Sequence, residues 1–230
     1  MKKKAWVNDL KNTPVQYQRG WTEFFKLKFK LTSDVLIPRP ETELLVEQAI
    51  KLNPQTVIDV GTGSGCIAIS LAKNLPSSKV FALDISEEAI KVAEQNSKFH
   101  QTEKQVLFMK SDLLSVIATP TTRNHKQIDV IIANLPYIPS RKLMFIDPMV
   151  RDFEPKIALD GGVDGFEIYR RLFAQIKNNN VQPKCLLIEI DEDQSEIAQS
   201  EARKYFPNSK MEVISDLANK PRIMKVNFNP

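Results

Sequence analysis

Short apolar runs rich in Val, Ile and Leu alternate with amphipathic segments along most of this chain, and no other feature constrains the fold as strongly. Continuous apolar runs separated by helical patterns are typical of parallel strands whose two faces are covered by helices. The sequence therefore predicts an α/β fold with a doubly wound, mostly parallel sheet. Strands are predicted at 56–60, 79–84, 105–110, 128–133 and 185–190, and helices at 66–75, 87–99, 164–177 and 192–205.

Two further strands are predicted near the end of the chain, at 211–214 and 222–228, with a turn at 219–221 between them. Consecutive strands joined by a short turn pair antiparallel, whereas parallel neighbours need a long crossover. We therefore expect a seven-stranded sheet whose last strand is antiparallel to the others.

Phe and Leu alternate with Lys over residues 25–31, which predicts a strand with one buried and one solvated face. The sequence Pro-Arg-Pro at 38–40 then precedes a predicted helix at 41–52. We accordingly divide the chain into a short basic N-terminal arm with this β segment, residues 1–40, and a main domain, residues 41–230.

The composition is that of a globular chain with a core, since 42% of its 230 residues are hydrophobic and 26% are charged. No run of about 18 apolar residues is present, so no membrane-spanning helix is predicted. The basic start is not followed by an apolar signal core, and we expect a cytoplasmic protein. Cys66, Cys185, His100 and His125 are too few and too scattered for a zinc cluster, so no metal site is predicted.

Charge is distributed unevenly along the chain. Residues 1–40 contain nine Lys or Arg and three acids, whereas residues 41–230 sum to −2. This basic surplus is interpreted either as a solvated face or as a weak electrostatic guide toward an RNA-rich partner. A nearly neutral main domain is poorly suited to gripping a phosphate backbone, so a nucleic acid is not expected as the substrate.

A glycine-rich loop reading Asp-Val-Gly-Thr-Gly-Ser-Gly follows the first predicted strand of the main domain and opens the next helix. Glycines there allow a ligand to approach the backbone at the carboxyl edge of the sheet. The spacing is one residue too short for the dinucleotide fingerprint and, with an acid before it, fits S-adenosylmethionine (SAM) better than NAD. A plain tight turn is the alternative. The predicted cofactor-binding residues of this loop are Asp59, Gly61, Thr62, Gly63, Ser64 and Gly65.

One acid ends the next predicted strand, and another follows the strand after it. Asp84 lies 19 residues beyond Gly65, where a carboxylate accepts hydrogen bonds from both ribose hydroxyls. Asp112, followed by Leu113, is placed to meet the adenine amino group. The alternatives are an ordinary strand-ending acid at Asp84 and a helix N-cap at Asp112.

The segment Asn134-Leu135-Pro136-Tyr137 follows the fourth predicted strand, beside the expected cofactor crevice. A planar amide or amino nitrogen is methylated when two acceptors hold its N–H groups and aim its lone pair at the methyl donor. The Asn134 side-chain oxygen and the Leu135 carbonyl are the predicted acceptors, Pro136 stiffens the loop, and Tyr137 stacks on the substrate. Asn134 also borders the cofactor. The alternative is a loop with a capping Asn and a core Tyr.

These motifs together resemble the release factor glutamine methyltransferases, the HemK/PrmC family of Rossmann-like class I SAM-dependent enzymes. The resemblance spans about residues 17–228. It is most specific in Leu-Ile-Pro-Arg-Pro-Glu-Thr-Glu at 36–43, Arg-Asp-Phe-Glu-Pro at 151–155 and Ala-Leu-Asp-Gly-Gly-Val-Asp-Gly at 158–165. It implies methyl transfer from SAM to the side-chain amide nitrogen (N5) of the glutamine in the Gly-Gly-Gln loop of a peptide chain release factor. The loop at 153–165 is interpreted as a substrate-side lid or a plain turn-rich loop.

The sequence departs from the family pattern in two places. The family usually has Asn-Pro-Pro-Tyr, and here Leu135 takes the place of the first proline. A residue that acts through its carbonyl can be leucine, with some loss of loop rigidity. The family also usually carries a helical domain ahead of the β segment, where this sequence has about 16 residues. An N6-adenine methyltransferase acting on RNA or DNA and a non-enzymatic SAM-binding module are the alternative functions.

Overall fold

A computed structural model describes residues 13–117, 128–178 and 181–228 of the chain. Residues 1–12 of the basic arm, and His125, lie outside these described residues. The described part begins with the short helix α1, Val15–Arg19, and a hairpin of two antiparallel strands, β1 (Trp21–Phe24) and β2 (Leu27–Lys30). This hairpin confirms the predicted N-terminal β segment.

The prediction of one continuous strand over 25–31 is wrong, because Phe25 and Lys26 form the turn of the hairpin. Both residues have positive φ angles, of 50° and 60°. That conformation usually selects Gly or Asn, so the sequence gives no turn signal here. The Glu43 carboxylate accepts a hydrogen bond from the Phe25 backbone N–H at 2.8 Å, and this tertiary contact stabilises the turn.

The main sheet has seven strands in the order β5-β4-β3-β6-β7-β9-β8. All seven predicted strands are present, and the last one is antiparallel to both of its neighbours, as expected. That last strand inserts between β7 and β8, so the edge of the sheet is formed by the strand that precedes it in sequence. The strands are β3 (Thr56–Val60), β4 (Lys79–Asp84), β5 (Val106–Lys110), β6 (Ile128–Ala133), β7 (Pro183–Glu189), β8 (Lys210–Ser215) and β9 (Pro221–Asn227).

Helices cover both faces of this sheet and enclose its two apolar layers. One layer packs side chains such as Leu45 and Leu71 against the sheet, and the other packs Phe166 and Phe173 against the opposite face. The remaining α-helices are α2 (Glu43–Lys51), α3 (Cys66–Asn74), α4 (Glu87–His100), α5 (Pro148–Phe153), α6 (Glu167–Asn178) and α7 (Ser195–Tyr205). None of the helices in the described residues is long and apolar enough to cross a membrane.

Three predicted helix starts differ from the structure. A 3₁₀ turn, Pro40–Thr42, precedes α2, and a second, Glu192–Gln194, precedes α7. The helix predicted from residue 164 begins at Glu167, because the Asp164 carboxylate accepts the backbone N–H of Phe166 and Gly165 has a φ of 79°. The 3₁₀ turns and the Asp164 carboxylate provide hydrogen-bond acceptors for backbone N–H groups that have no partner at the start of a helix.

Candidate active site

A cavity of about 220 Å³ opens at the carboxyl ends of β3, β4 and β6, where loops from neighbouring parallel strands converge. This edge is the usual ligand-binding edge of an open α/β sheet. The glycine loop, Asp84, Asp112 and the Asn134 loop all reach it. The predicted site residues that line the cavity are Gly61, Gly63, Asp84, Asp112, Leu113, Asn134, Leu135 and Pro136.

Backbone donors fix the Asp84 carboxylate at the wall of this cavity. Its Oδ2 accepts the N–H of Gly63 at 2.8 Å, and its Oδ1 accepts the N–H of Ser86 at 3.0 Å. Burial raises the pKa of Asp84, while these two backbone donors oppose the increase. The glycine loop and the strand-ending acid are therefore one hydrogen-bonded unit.

Gly61 is required by close approach as well as by its φ of 77°. A Cβ atom on this residue would lie 2.8 Å from Cδ2 of Leu135, which is closer than side chains pack. The glycine loop and the loop after β6 therefore touch directly at the floor of the cavity. Because the two loops are close-packed, a displacement of one loop displaces the other.

Four predicted loop residues lie behind the cavity wall instead of lining it. Asp59 is fully buried, and its Oδ2 accepts the hydroxyl of Thr62 at 2.7 Å, while its Oδ1 has no partner among the described residues. Burial raises the pKa of Asp59 to about 7. Ser64 is buried as well, and Gly65 caps α3 in the left-handed conformation, packed against Ala93.

Asp112 lies at the cavity, paired with a partner that the sequence did not indicate. Its two carboxylate oxygens accept hydrogen bonds from Nη2 of Arg171 at 2.7 and 2.5 Å. Leu113 follows with a φ of 53° and presents an apolar side chain to the same space. Residues 113–117, the described residues that follow Asp112, form turns and no helix, and the role of Asp112 toward a ligand stays a prediction.

A second, smaller cavity of about 100 Å³ adjoins the first. Both are bordered by Leu36, Asn134, Leu135 and Ala158, so the two cavities share the Asn134 loop as part of their walls. Tyr137 lines only the smaller one, together with Arg39, Ile138, Val150 and Leu159. This arrangement suits two ligands whose reacting atoms meet at Asn134.

Several hydrogen bonds position the Asn134 loop against the rest of the fold, among them one from Gln194 Nε2 to the Tyr137 carbonyl at 2.9 Å. Asn134 Nδ2 donates to Oγ1 of Thr42 at 3.0 Å. The backbone N–H of Leu135 donates to the hydroxyl of Tyr169 at 3.1 Å, and the hydroxyl of Tyr137 donates to Oε1 of Glu189 at 3.5 Å. No donor among the described residues reaches Asn134 Oδ1, which remains available to a ligand.

Glu189 is a buried acid that the sequence analysis did not single out. It ends β7 and is 3% exposed. Burial raises its pKa to about 7, and the Thr42 hydroxyl and Arg222 oppose the increase. The sequence carries one signal for it, a single acid within the apolar run at 185–190. Burying a charge in such a strand costs free energy unless the charge is paired or hydrogen-bonded.

Two of the three most specific sequence segments, 36–43 and 151–155, meet in space through an ion pair. Arg39 Nη2 lies 2.6 Å from Oε1 of Glu154, whose Oε2 accepts the backbone N–H of Ile37. The glycines of the segment 158–165 pack on the Asn134 loop: a Cβ on Gly161 would lie 2.7 Å from the carbonyl oxygen of Pro136. These glycines allow backbone to approach backbone, whereas Ile157, just before this segment, lines the larger cavity.

Comparison with solved structures identifies the class of protein. The fold is that of a methyltransferase, shared with the human METTL16 catalytic domain solved in complex with an RNA hairpin, at a TM-score of 0.67 and 14% identity over 98% of this chain and 92% of that one. A protein-(glutamine-N5) methyltransferase from Alicyclobacillus acidocaldarius is 27% identical, with a TM-score of 0.53, over 88% of this chain and 100% of that one. A family model described as ribosomal protein L11 methyltransferase (PrmA) matches residues 42–144.

Curated relatives narrow the class to one family. The release factor glutamine methyltransferase of Bacillus cereus is 36% identical over 92% of this chain and 75% of its own length. That of Bacteroides thetaiotaomicron is 39% identical over 94% of this chain and 77% of its own. The chain belongs to the release factor glutamine methyltransferase family. The predicted fold, family and enzyme class are thereby confirmed.

Proposed function

We propose that this chain transfers a methyl group from SAM to the side-chain amide nitrogen of the glutamine in the Gly-Gly-Gln loop of a class 1 peptide chain release factor. The observation that carries the proposal is Asn134 at the junction of two cavities, with its Nδ2 on Thr42 and its Oδ1 available to a ligand. The names of the curated relatives support the substrate class.

The larger cavity fits the proposed cofactor. Gly61 and Gly63 leave its wall without side chains, and the Asp84 carboxylate stands where two ribose hydroxyls can donate to it. Leu113 and Ile85 add apolar surface that suits an adenine ring, and Asp112 is the proposed partner of its amino group. When bound, SAM supplies an electrophilic methyl group on its sulfonium. Asp59, Thr62, Ser64 and Gly65 support the loop from behind.

The smaller cavity fits a glutamine side chain. Asn134 Oδ1 and the Leu135 carbonyl are the proposed acceptors for the two amide N–H groups, which leaves the nitrogen lone pair directed toward the larger cavity. Pro136 restricts the loop, and the Tyr137 ring lines the smaller cavity where a flat amide can stack on it. The nitrogen gives its extra proton to water after transfer, so rate acceleration comes from orientation and fixed dipoles.

The direct test is methyl transfer from labelled SAM to a purified class 1 release factor, with the Gln→Ala variant of its Gly-Gly-Gln loop as matched control. Total RNA serves as a parallel substrate. Label on the unaltered factor and none on the Ala variant is the expected result. Label on RNA alone would support the N6-adenine alternative. Label on neither, with SAM bound, would refute both substrates.

A further inference from the structure

Glu189 is a buried acid that the proposed methyl transfer does not use. One carboxylate oxygen, Oε1, accepts a long hydrogen bond from the Tyr137 hydroxyl at 3.5 Å. The other, Oε2, is buried and has no hydrogen-bond partner among the described residues. A buried carboxylate oxygen without a donor is costly, so its retention calls for an explanation.

Thr42 connects this acid to the Asn134 loop. Its Oγ1 accepts a hydrogen bond from Asn134 Nδ2 at 3.0 Å. A hydroxyl carries one proton, and that of Thr42 remains to be donated. The hydroxyl lies close enough to the Glu189 carboxylate to lower its pKa, without meeting the distance and angle of a hydrogen bond in this structure. Donation of this proton to Oε2 of Glu189 would give that buried oxygen the partner it lacks among the described residues.

We propose that Glu189 is a positioning residue that sets the orientation of the Asn134 side-chain amide through the Thr42 hydroxyl. When the Thr42 proton is donated to Glu189, Thr42 Oγ1 can only accept. Asn134 must then turn its Nδ2 toward Thr42 and its Oδ1 toward the ligand. This inference rests on the proposed function in one respect only, namely that Asn134 Oδ1 receives an N–H of the substrate amide.

Protonation of Glu189 reverses the direction of these hydrogen bonds. A neutral Glu189 can donate to Thr42, whose hydroxyl proton then becomes available to Asn134 Oδ1. The reversed amide turns its NH₂ group toward the substrate, where two donors face each other and neither finds an acceptor. The ionised form of Glu189 is therefore the active one.

The acid titrates in the neutral range because burial raises its pKa to about 7. Arg222 on β9 lowers this pKa, whereas Glu41 in the 3₁₀ turn before α2 raises it. The titratable and charged groups that face Glu189 from the packed elements are Glu41, Cys66, Tyr137, Tyr169 and Arg222.

Nuclear magnetic resonance of the full chain tests the coupling without any substrate. The Asn134 side-chain NH₂ signal is identified by its loss in Asn134→Asp. In the unaltered protein we expect it to shift between pH 6 and 8 with a midpoint at about 7. The shift should vanish in Glu189→Gln and Thr42→Val and persist in Thr42→Ser. An Asn134 NH₂ signal that does not shift with pH, or that shifts equally in Glu189→Gln, would overturn the proposal.

Kinetics with the release factor provide the second readout. We expect kcat of the unaltered enzyme to rise with pH through about 7, and Glu189→Gln to lower kcat about tenfold with KM for SAM unchanged and no pH step. Thr42→Val should behave likewise, and Thr42→Ser should recover the step. Glu201→Gln is the matched control, because Glu201 is another buried acid but pairs with Lys204 and Arg170.

The two experiments separate this inference from the proposed function. An unaltered enzyme that methylates no release factor contradicts the proposed function, while the resonance titration still decides the coupling. A Glu189→Gln variant with unchanged kcat and the pH profile of the unaltered enzyme contradicts the positioning role.

Discussion

The backbone N–H of Leu135 donates to the hydroxyl of Tyr169, and that hydroxyl donates in turn to the carbonyl of Glu189 at 2.6 Å. The residue at which the chain departs from its family's usual proline thus forms a hydrogen bond that proline cannot make. The two hydrogen bonds connect the Asn134 loop to the end of β7 through Tyr169, a buried side chain of α6.

Replacing Leu135 by Pro should lower the free energy of unfolding by about 1 kcal/mol while leaving methyl transfer measurable, because the carbonyl is retained. Tyr169→Phe should cost about 2–3 kcal/mol, since it deprives both the Leu135 N–H and the Glu189 carbonyl of a partner. Urea titration of both variants and of the double variant checks this. Equal costs for Leu135→Pro in the presence and absence of the Tyr169 hydroxyl would contradict the coupling.

Asn134→Ala should reduce turnover by about 10²-fold or more while SAM still binds, because the variant lacks a fixed acceptor for the substrate amide. Single-turnover assays with labelled SAM measure the loss, and calorimetry measures the retained binding. A variant with unaltered turnover would remove Asn134 from the mechanism.

Asp84→Ala should weaken SAM binding by about 10- to 100-fold, because two ribose hydroxyls lose a fixed, largely buried acceptor. Asp112→Ala should have a smaller effect, since the Asp112 side chain is 45% exposed and already paired with Arg171. Calorimetric titration of both variants compares them directly. A larger loss in Asp112→Ala than in Asp84→Ala would show that Asp112, and not Asp84, makes the main polar contact with SAM.

Asp59→Asn should become progressively more stable than the unaltered protein as pH rises from about 4 to 7. Burial raises the pKa of Asp59 from 3.8 to about 7, so the folded state retains a proton that the unfolded state releases at lower pH. Stability from this group is therefore present at low pH and lost as pH rises through that window. Three pKa units set an upper limit of about 4 kcal/mol.

Thermal unfolding at several pH values measures this difference, which should level off above about pH 7. Asp216→Asn is the control with the opposite sign. The backbone N–H of Lys220 lowers the pKa of Asp216, so its contribution is lost only as pH falls below the usual carboxylate range. A constant difference between Asp59→Asn and the unaltered protein would rule out a titrating Asp59.

Arg39→Ala should lower the free energy of unfolding by about 2–3 kcal/mol, because it leaves the Glu154 carboxylate buried without its cation. Adding Glu154→Gln to this variant should restore part of the loss, since a neutral amide is cheaper to bury. Urea titration of the single and double variants measures both effects. A double variant less stable than Arg39→Ala would contradict the explanation by an unpaired charge.

The sequence by itself determined the seven strands of the main sheet, the glycine loop and the location of the Asn134 loop. These features depend on local rules. Apolar periodicity sets the type of each element, and glycine is favoured at Gly61 and Gly65 because the backbone φ is positive there. Parallel strands then bring their carboxyl ends to one edge, which is why Asp84 and Asn134 could be placed at one cavity from spacing alone.

Only the tertiary structure decided what surrounds those residues. Thr42 reaches Asn134 across 92 residues of sequence, and Glu154 reaches Arg39 across 115. Such contacts depend on how helices and loops pack on the sheet, and a single sequence has no local pattern that encodes them. The same reason explains the hairpin turn at Phe25, which the Glu43 carboxylate of α2 stabilises. It also explains the hydrogen bond between Glu189 and Tyr137 of the Asn134 loop.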